Sequence, residues 1–298
     1  MKVLQFYTTG RSDIVAHVWD KPDPTDNQIE VKSLFTGVCS SDVAMYKGEF
    51  TLLPIHMHGH EGLGCVTAIG ANITDVAVGD IVATRGEPAF AECYNAELGT
   101  YVKVPSADPA YIIEPIACAV NIARSVQIQQ NHSVAILGTG FLAKIVYQLI
   151  KGKTDKIVVV GSANSKYWTS EAVNQLTSLE GSYDIVYDLS DKPQYVTANC
   201  INENGTYVLA AEKKPSVTTS FANWLWKNVS IVCPSPRDPR FHSYMLESVE
   251  LISSGALKID GMWNTFGHTK LQVSEAFAAA ANREYFGKRL YINWTSKA

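Results

Sequence analysis

Over the first hundred residues, apolar positions come in short runs broken by glycine and proline. Residues 28–35 alternate apolar with polar side chains, the period of two that turns one face of a strand to a core. Residues 64–69 and 80–83 are brief apolar runs between turn signals, and residues 1–9 also read as a strand. This rhythm predicts an antiparallel, partly closed β domain. From about Ala117 the pattern changes. Apolar strands at 133–137, 156–160, 184–187, 206–210 and 229–232 alternate with helical segments, among them 141–151, ended by Gly152, and 242–253, ended by Gly255. Such alternation predicts a parallel sheet covered on both faces. The last forty residues return to a mixed pattern, with a helix at 272–281 and a strand at 288–293.

Composition narrows the class. The 298 residues suffice for two domains with sizeable cores. With 46% hydrophobic and 18% charged residues, a formal net charge of −4 and no basic tail, nucleic acid is not an expected partner. No run of about 18 apolar residues exists, so no membrane span is expected. The start lacks a secretory hydrophobic region. The six cysteines are scattered without a Cys-x-x-Cys pair, which suits a reduced, cytoplasmic protein.

Two clusters carry chemistry. The first is Thr36-Gly-Val-Cys-Ser-Ser-Asp42 with His58-Gly-His-Glu-Gly-Leu-Gly64. A thiolate (Cys39), an imidazole (His60) and a carboxylate (Glu61), with a water in the fourth place, would make a catalytic zinc site. His60 and Glu61 are neighbours and would point to opposite faces of an extended strand. Both reach one metal only if the chain turns, as Gly59 and Gly62 permit. Asp42 could orient the imidazole from behind. His56, His58 and His60 alternate and would share one face of a strand, so a three-histidine site is the competing arrangement.

The second cluster is Val134-Ala-Ile-Leu-Gly-Thr-Gly-Phe-Leu-Ala143, an apolar strand entering a glycine turn and a helix. Gly138, Gly140 and Ala143 supply the tight turn, the close approach to a pyrophosphate and the small residue for helix–strand packing of a dinucleotide site. The next strand ends in Val160-Gly-Ser-Ala-Asn-Ser-Lys166, with no acid to bind a ribose 2′-hydroxyl. Ser162, Ser165 and Lys166 instead offer donors and a positive charge to a 2′-phosphate. The expected cofactor is NADP, with NAD the alternative.

These motifs, together with Gly79-Asp-Ile-Val82, Phe90-Ala-Glu92, Glu114-Pro115 and Gly287-Lys288, resemble the zinc-dependent alcohol dehydrogenases of the medium-chain dehydrogenase/reductase superfamily. The resemblance covers nearly the whole chain. It implies an α/β fold, with a GroES-like catalytic domain over 1–116 and 259–298 and a doubly wound Rossmann domain over 117–258. It makes Cys39 and His60 metal ligands and catalytic groups, with Glu61 or Glu114 as the third protein ligand. Ser41 matches the hydroxyl that relays the substrate proton, and Ala44 stands where a relay histidine often follows. The four-cysteine structural zinc loop is missing, so one zinc per chain is expected. The implied reaction is hydride transfer between a nicotinamide cofactor and an alcohol, polyol or matching aldehyde or ketone. The implied partner is a second copy, a homodimer with 229–232 and 234–239 near the contact. A zinc-free quinone or enone reductase of the same superfamily and a non-catalytic NADPH-binding protein are the alternatives.

Overall fold

A computed structural model describes residues 1–54, 57–86, 88–161, 166–211 and 217–296, the side chains of Lys166 and Thr169 excepted. It divides into two compact units, Met1–Ala117 with His242–Ala298, and Cys118–Phe241.

The first unit carries β1 (Lys2–Tyr7), β2 (Val15–Asp20), β3 (Gln28–Val38), α1 (Ser40–Tyr46), β4 (Glu61–Ile69), β5 (Ile81–Arg85), β6 (Cys93–Glu97) and β7 (Tyr101–Lys103). The helix α2 (Glu114–Arg124) then crosses the boundary between the units. The strand β3 is the spine, pairing antiparallel with β4 and β6. Its alternating residues Ile29 and Val31 are fully buried and join Val66, Val82, Tyr94 and Tyr101 in one core. Side chains of that size each contribute about 1.5–3 kcal/mol on burial, which fixes the register of β3.

The second unit holds β8 (Val134–Leu137), α3 (Phe141–Ile150), β9 (Ile157–Val160), α4 (Lys166–Ser170), β10 (Asn174–Leu176), β11 (Tyr183–Asp188), β12 (Ile201–Leu209), α5 (Ala222–Trp226) and β13 (Ser230–Val232). Its six strands form a parallel sheet in the order β10-β9-β8-β11-β12-β13. The order reverses between β8 and β11, the switch point of a doubly wound sheet, where ligands bind beyond the carboxyl ends of the strands. Every residue of β8 is buried, as a continuous apolar run in a central parallel strand requires.

The chain closes with α6 (Phe241–Ser253), β14 (Trp263–Gly267), α7 (Lys270–Ala281) and β15 (Arg289–Asn293). Here β15 pairs antiparallel with β3, so the end of the chain completes the first sheet. A Thr269 cap starts α7, and its Phe277 packs on Tyr46 and Phe90 with ring centroids 5.5 Å apart in each pair.

Three expectations are revised. The second unit ends at Phe241 rather than at 258, because α6 is tied into the first unit: His242 Nε2 lies 3.2 Å from the Tyr101 carbonyl and the Tyr111 hydroxyl 3.0 Å from Ser253 Oγ. The strand–helix alternation is incomplete, since only short 3₁₀ turns at Pro193–Tyr195 and Ala198–Cys200 separate β11 from β12. The histidines precede β4 instead of lying on a strand, so no shared face forms among the described ones. All six cysteines are free thiols, and no helix among the described residues is long and apolar enough to cross a membrane.

Candidate functional site

In the first unit the ends of two strands present a donor cluster. Cys39 follows β3 and caps α1 with extended backbone, its N–H donating to Asp42 Oδ2 at 2.9 Å. His60 and Glu61 stand at the entry to β4. Gly59 turns the chain there with φ +82°, a conformation other residues adopt only with strain, so the side chains before and after it need not alternate. Gly62 does not turn. It is extended, and a Cβ there would meet the Tyr94 hydroxyl at 2.0 Å and Thr84 Oγ1 at 2.4 Å, so closeness of packing requires this glycine.

The result is that one donor atom each from Cys39, His60 and Glu61 falls within 4.8 Å of the others. A thiolate, an imidazole and a carboxylate gathered at such range fit a zinc ion. Asp42 Oδ1 lies 3.8 Å from His60 Nδ1, beside the ring as an orienting acceptor would. Burial pushes the Asp42 carboxyl up to about 6, opposed by the positive field of His60. Burial works against protonation of His60, yet the negative fields of Asp42, Cys39 and Glu114 outweigh it and hold its pKa well above the ordinary value.

Glu61 is also gripped from outside the cluster. Arg289, at the start of β15, donates from Nε to Oε2 at 3.0 Å and from Nη2 to Oε1, and both side chains are buried. A carboxylate oxygen keeps a second lone pair, so this grip leaves Glu61 able to approach a metal. Arg289 was not among the sequence candidates; a buried cation shows itself in sequence only through a fold that brings it to its partner. Glu114 is buried at the first turn of α2, and its charge is felt by both His60 and Arg289, but its carboxylate is not within the three-donor group. Ser41 is half-buried in the first turn of α1, and its hydroxyl makes no hydrogen bond to a described residue. His58 is buried, sits 3.2 Å from the Leu53 carbonyl and lines a small cavity with Tyr7, Asp42 and Phe90, so it packs and does not ligate. His56 lies outside the described residues.

In the second unit the glycine turn links β8 to α3. Gly138 has φ +113°, and its N–H donates to the Val160 carbonyl at 2.8 Å. A Cβ there would lie 3.2 Å from the Leu189 carbonyl oxygen, so the turn sits against the end of β11. Gly140 differs: its φ of −78° is open to any residue, and a Cβ would meet no described residue within 4 Å. Among the described residues, neither strain nor packing demands a glycine at that point. The space it leaves, at the N-terminus of α3, fits the approach of a pyrophosphate. Ala143 is buried on α3. Ser162 and Ser165 lie outside the described residues; Lys166 opens α4.

Residues 25–148 match the alcohol dehydrogenase GroES-like domain. The chain is 23% identical to D-arabitol-phosphate dehydrogenase of Enterococcus avium, over 81% of this chain and 83% of that one. Several other curated relatives align over about half of their own length. Among solved structures, a thermostable alcohol dehydrogenase from Pyrobaculum aerophilum superposes with a TM-score of 0.84 at 15% identity, covering 99% of this chain and 100% of that one. A candidate zinc-binding dehydrogenase from Sinorhizobium meliloti, solved with NADP, gives 0.81 at 17% identity with the same coverage. The structural likenesses establish the fold.

Proposed function

Taking the chain as a member of the medium-chain dehydrogenase/reductase superfamily, similar to its zinc-type alcohol dehydrogenases, we propose that it is a zinc-dependent, NADP-preferring oxidoreductase that interconverts an alcohol or polyol with its aldehyde or ketone. The oxidoreductase of alcohol and polyol dehydrogenase type is the broad class; the metal, the cofactor preference and the substrate are our reading. The observation that carries it is the convergence of Cys39, His60 and Glu61 donor atoms within 4.8 Å.

One zinc ion held by Cys39, His60 and Glu61 or Glu114 would supply a Lewis acid for the substrate oxygen, and NADP(H) would supply or accept the hydride. Asp42 holds the His60 imidazole in orientation. Ser41, its hydroxyl bonded to no described residue, takes the substrate proton and passes it on, and with Ala44 in place of a relay histidine the next acceptor is water or cofactor. Arg289 balances the charge of Glu61, which lowers the cost of keeping that carboxylate buried among a thiolate and two further acids. Gly138 and Gly140 shape the pyrophosphate seat. The polyol direction is supported by the arabitol-phosphate dehydrogenase likeness and by Glu114.

The same reading includes a homodimer. It is supported by the position of β13 at the end of its sheet and by exposed Phe221, Leu225, Trp226 and Ile231 in and before it. Light scattering of the purified protein measures this directly.

The test of the reading is zinc per chain in protein purified without added metal, followed by an alcohol and aldehyde screen with NADP(H) and NAD(H). One zinc per chain and turnover with NADP(H) are expected. A content near zero that added zinc does not raise would favour the zinc-free reductase.

A further inference from the structure

Beyond the glycines, the cofactor turn is held by a residue of the neighbouring segment. The indole Nε1–H of Trp168, on α4, donates to the Thr139 carbonyl at 3.1 Å. Trp168 is 2% exposed, so this N–H has no water to turn to. Its ring is wedged edge-on between Tyr147 of α3, at 5.5 Å, and Tyr167, at 4.9 Å between centroids. Tyr167 is itself fixed to α3: its hydroxyl donates to the Lys144 carbonyl at 3.3 Å, and Lys144 Nζ stands 5.1 Å from its ring centre. The turn also leans on the end of β9, where a Cβ on Gly161 would come within 2.6 Å of Thr139 Cγ2.

A trans peptide is planar, with its C=O and N–H pointing in opposite directions. The carbonyl of Thr139 and the N–H of Gly140 belong to one peptide. Fixing that carbonyl on Trp168 therefore aims the Gly140 N–H away from the aromatic wedge. No described residue accepts that N–H, and none comes within 4 Å of the position a Gly140 Cβ would take. Among the groups a cofactor brings to such a turn, its pyrophosphate is the one that takes amide donors.

We infer that Trp168 is a positioning residue of the dinucleotide site: through its bond to Thr139 it aims the Gly140 amide at the cofactor pyrophosphate, and it couples that turn to the segment after β9. The inference rests on the cofactor reading above. The glycine turn and α4 are then one unit, braced by a single buried indole.

The experiment compares wild type with W168F, which keeps a ring in the wedge and removes the donor. The probes are ADP-ribose and NADPH, titrated by calorimetry, with the melting temperature of the ligand-free protein recorded alongside. Loss of one hydrogen bond predicts binding of both probes weaker by about 3- to 10-fold. The turnover number at saturating cofactor stays within about twofold, since a positioning bond to the cofactor acts on binding more than on chemistry. A W168F protein that is folded and binds both probes as the wild type does overturns the inference and leaves the cofactor reading intact. A wild type that binds neither overturns both. Should W168F not fold, ¹⁵N-indole spectra of wild type decide: the Trp168 signal, assigned against Trp→Phe variants of the other five tryptophans, must exchange slowly and shift on adding ADP-ribose. A signal that does not respond overturns the inference.

Discussion

The carboxylate of Glu61 lies in the fork of the Arg289 guanidinium, Nε to Oε2 at 3.0 Å, though the two stand 228 positions apart in the chain. The pair joins the entry of β4 to the start of β15 inside the first unit. Its worth depends on both members. R289M leaves a buried carboxylate without its counter-charge, and we expect a loss of about 3–5 kcal/mol, read as a fall in the urea midpoint. E61Q/R289M should regain part of that loss. A double variant as unstable as the sum of the singles would show that the two residues do not interact.

The glycines of the turn should separate strain from space. G138A places a side chain at φ +113° and should cost about 1–3 kcal/mol in the ligand-free protein, lowering its melting temperature. G140A meets no atom of the described residues, so it should cost the free protein much less. Its methyl group fills the cofactor's space, and NADPH binding should weaken by about tenfold or more, as overpacking of a tight contact predicts. Melting curves and calorimetric titration of both variants check this. Equal effects of the two on either measurement would contradict it.

Removing the proton relay should slow chemistry without touching the cofactor. For S41A we expect turnover to fall by about 10²-fold with a changed pH profile, and NADPH affinity to stay as in wild type. S41T, which restores a hydroxyl, should recover part of the rate. Steady-state kinetics across pH would show it, and an unchanged rate and profile in S41A would remove Ser41 from the mechanism.

Asp184 gives the second unit an acid-sensitive brace. Burial raises its pKa, but hydrogen bonds from Asn202 and from the N–H and hydroxyl of Ser133 outweigh this and hold it below the ordinary 3.8. A folded pKa below the unfolded one stabilises fully above the unfolded value, and that stability is lost as pH falls through the folded one. Solvent screens this half-exposed carboxylate, so D184N should be less stable than wild type at pH 7 by no more than about 1 kcal/mol. The gap should narrow below about pH 3.8. Melting temperatures at several pH values test the trend; a gap that widens in acid would refute it.

Local signals in the sequence account for most of the fold. Strands and helices with a clear period, such as β8, α3 and α7, fall within a residue or two of expectation, because turn residues and apolar spacing bound them. Where the period is absent the reading slips. The 3₁₀ turns between β11 and β12 replace an expected helix, and α6 belongs by its contacts to the first unit although its sequence suits either. At the donor cluster, Cys39, His60 and Glu61 could be named from the two motifs that hold them and the family those motifs resemble. Arg289 and Trp168 could not. Each acts on one partner elsewhere in the chain, Arg289 on Glu61 and Trp168 on Thr139, and nothing beside them in sequence marks that partner. Gly62 was legible as special but for another reason than its real one: the turn is made by Gly59, and Gly62 yields room to Tyr94.

The pairing of β15 with β3 sets an order on the newborn chain. Domains of most proteins complete in sequence as they leave the ribosome. In this one Cys118–Phe241 can finish first, while the sheet begun at the N-terminus waits for Arg289–Asn293. Until Arg289–Asn293 emerges, Cys39, His60 and Glu61 are already synthesised but Glu61 has no guanidinium to meet. Translation thus reaches the charge balance of the site last, and a chain halted before Arg289 would hold its cysteine, histidine and glutamate without it.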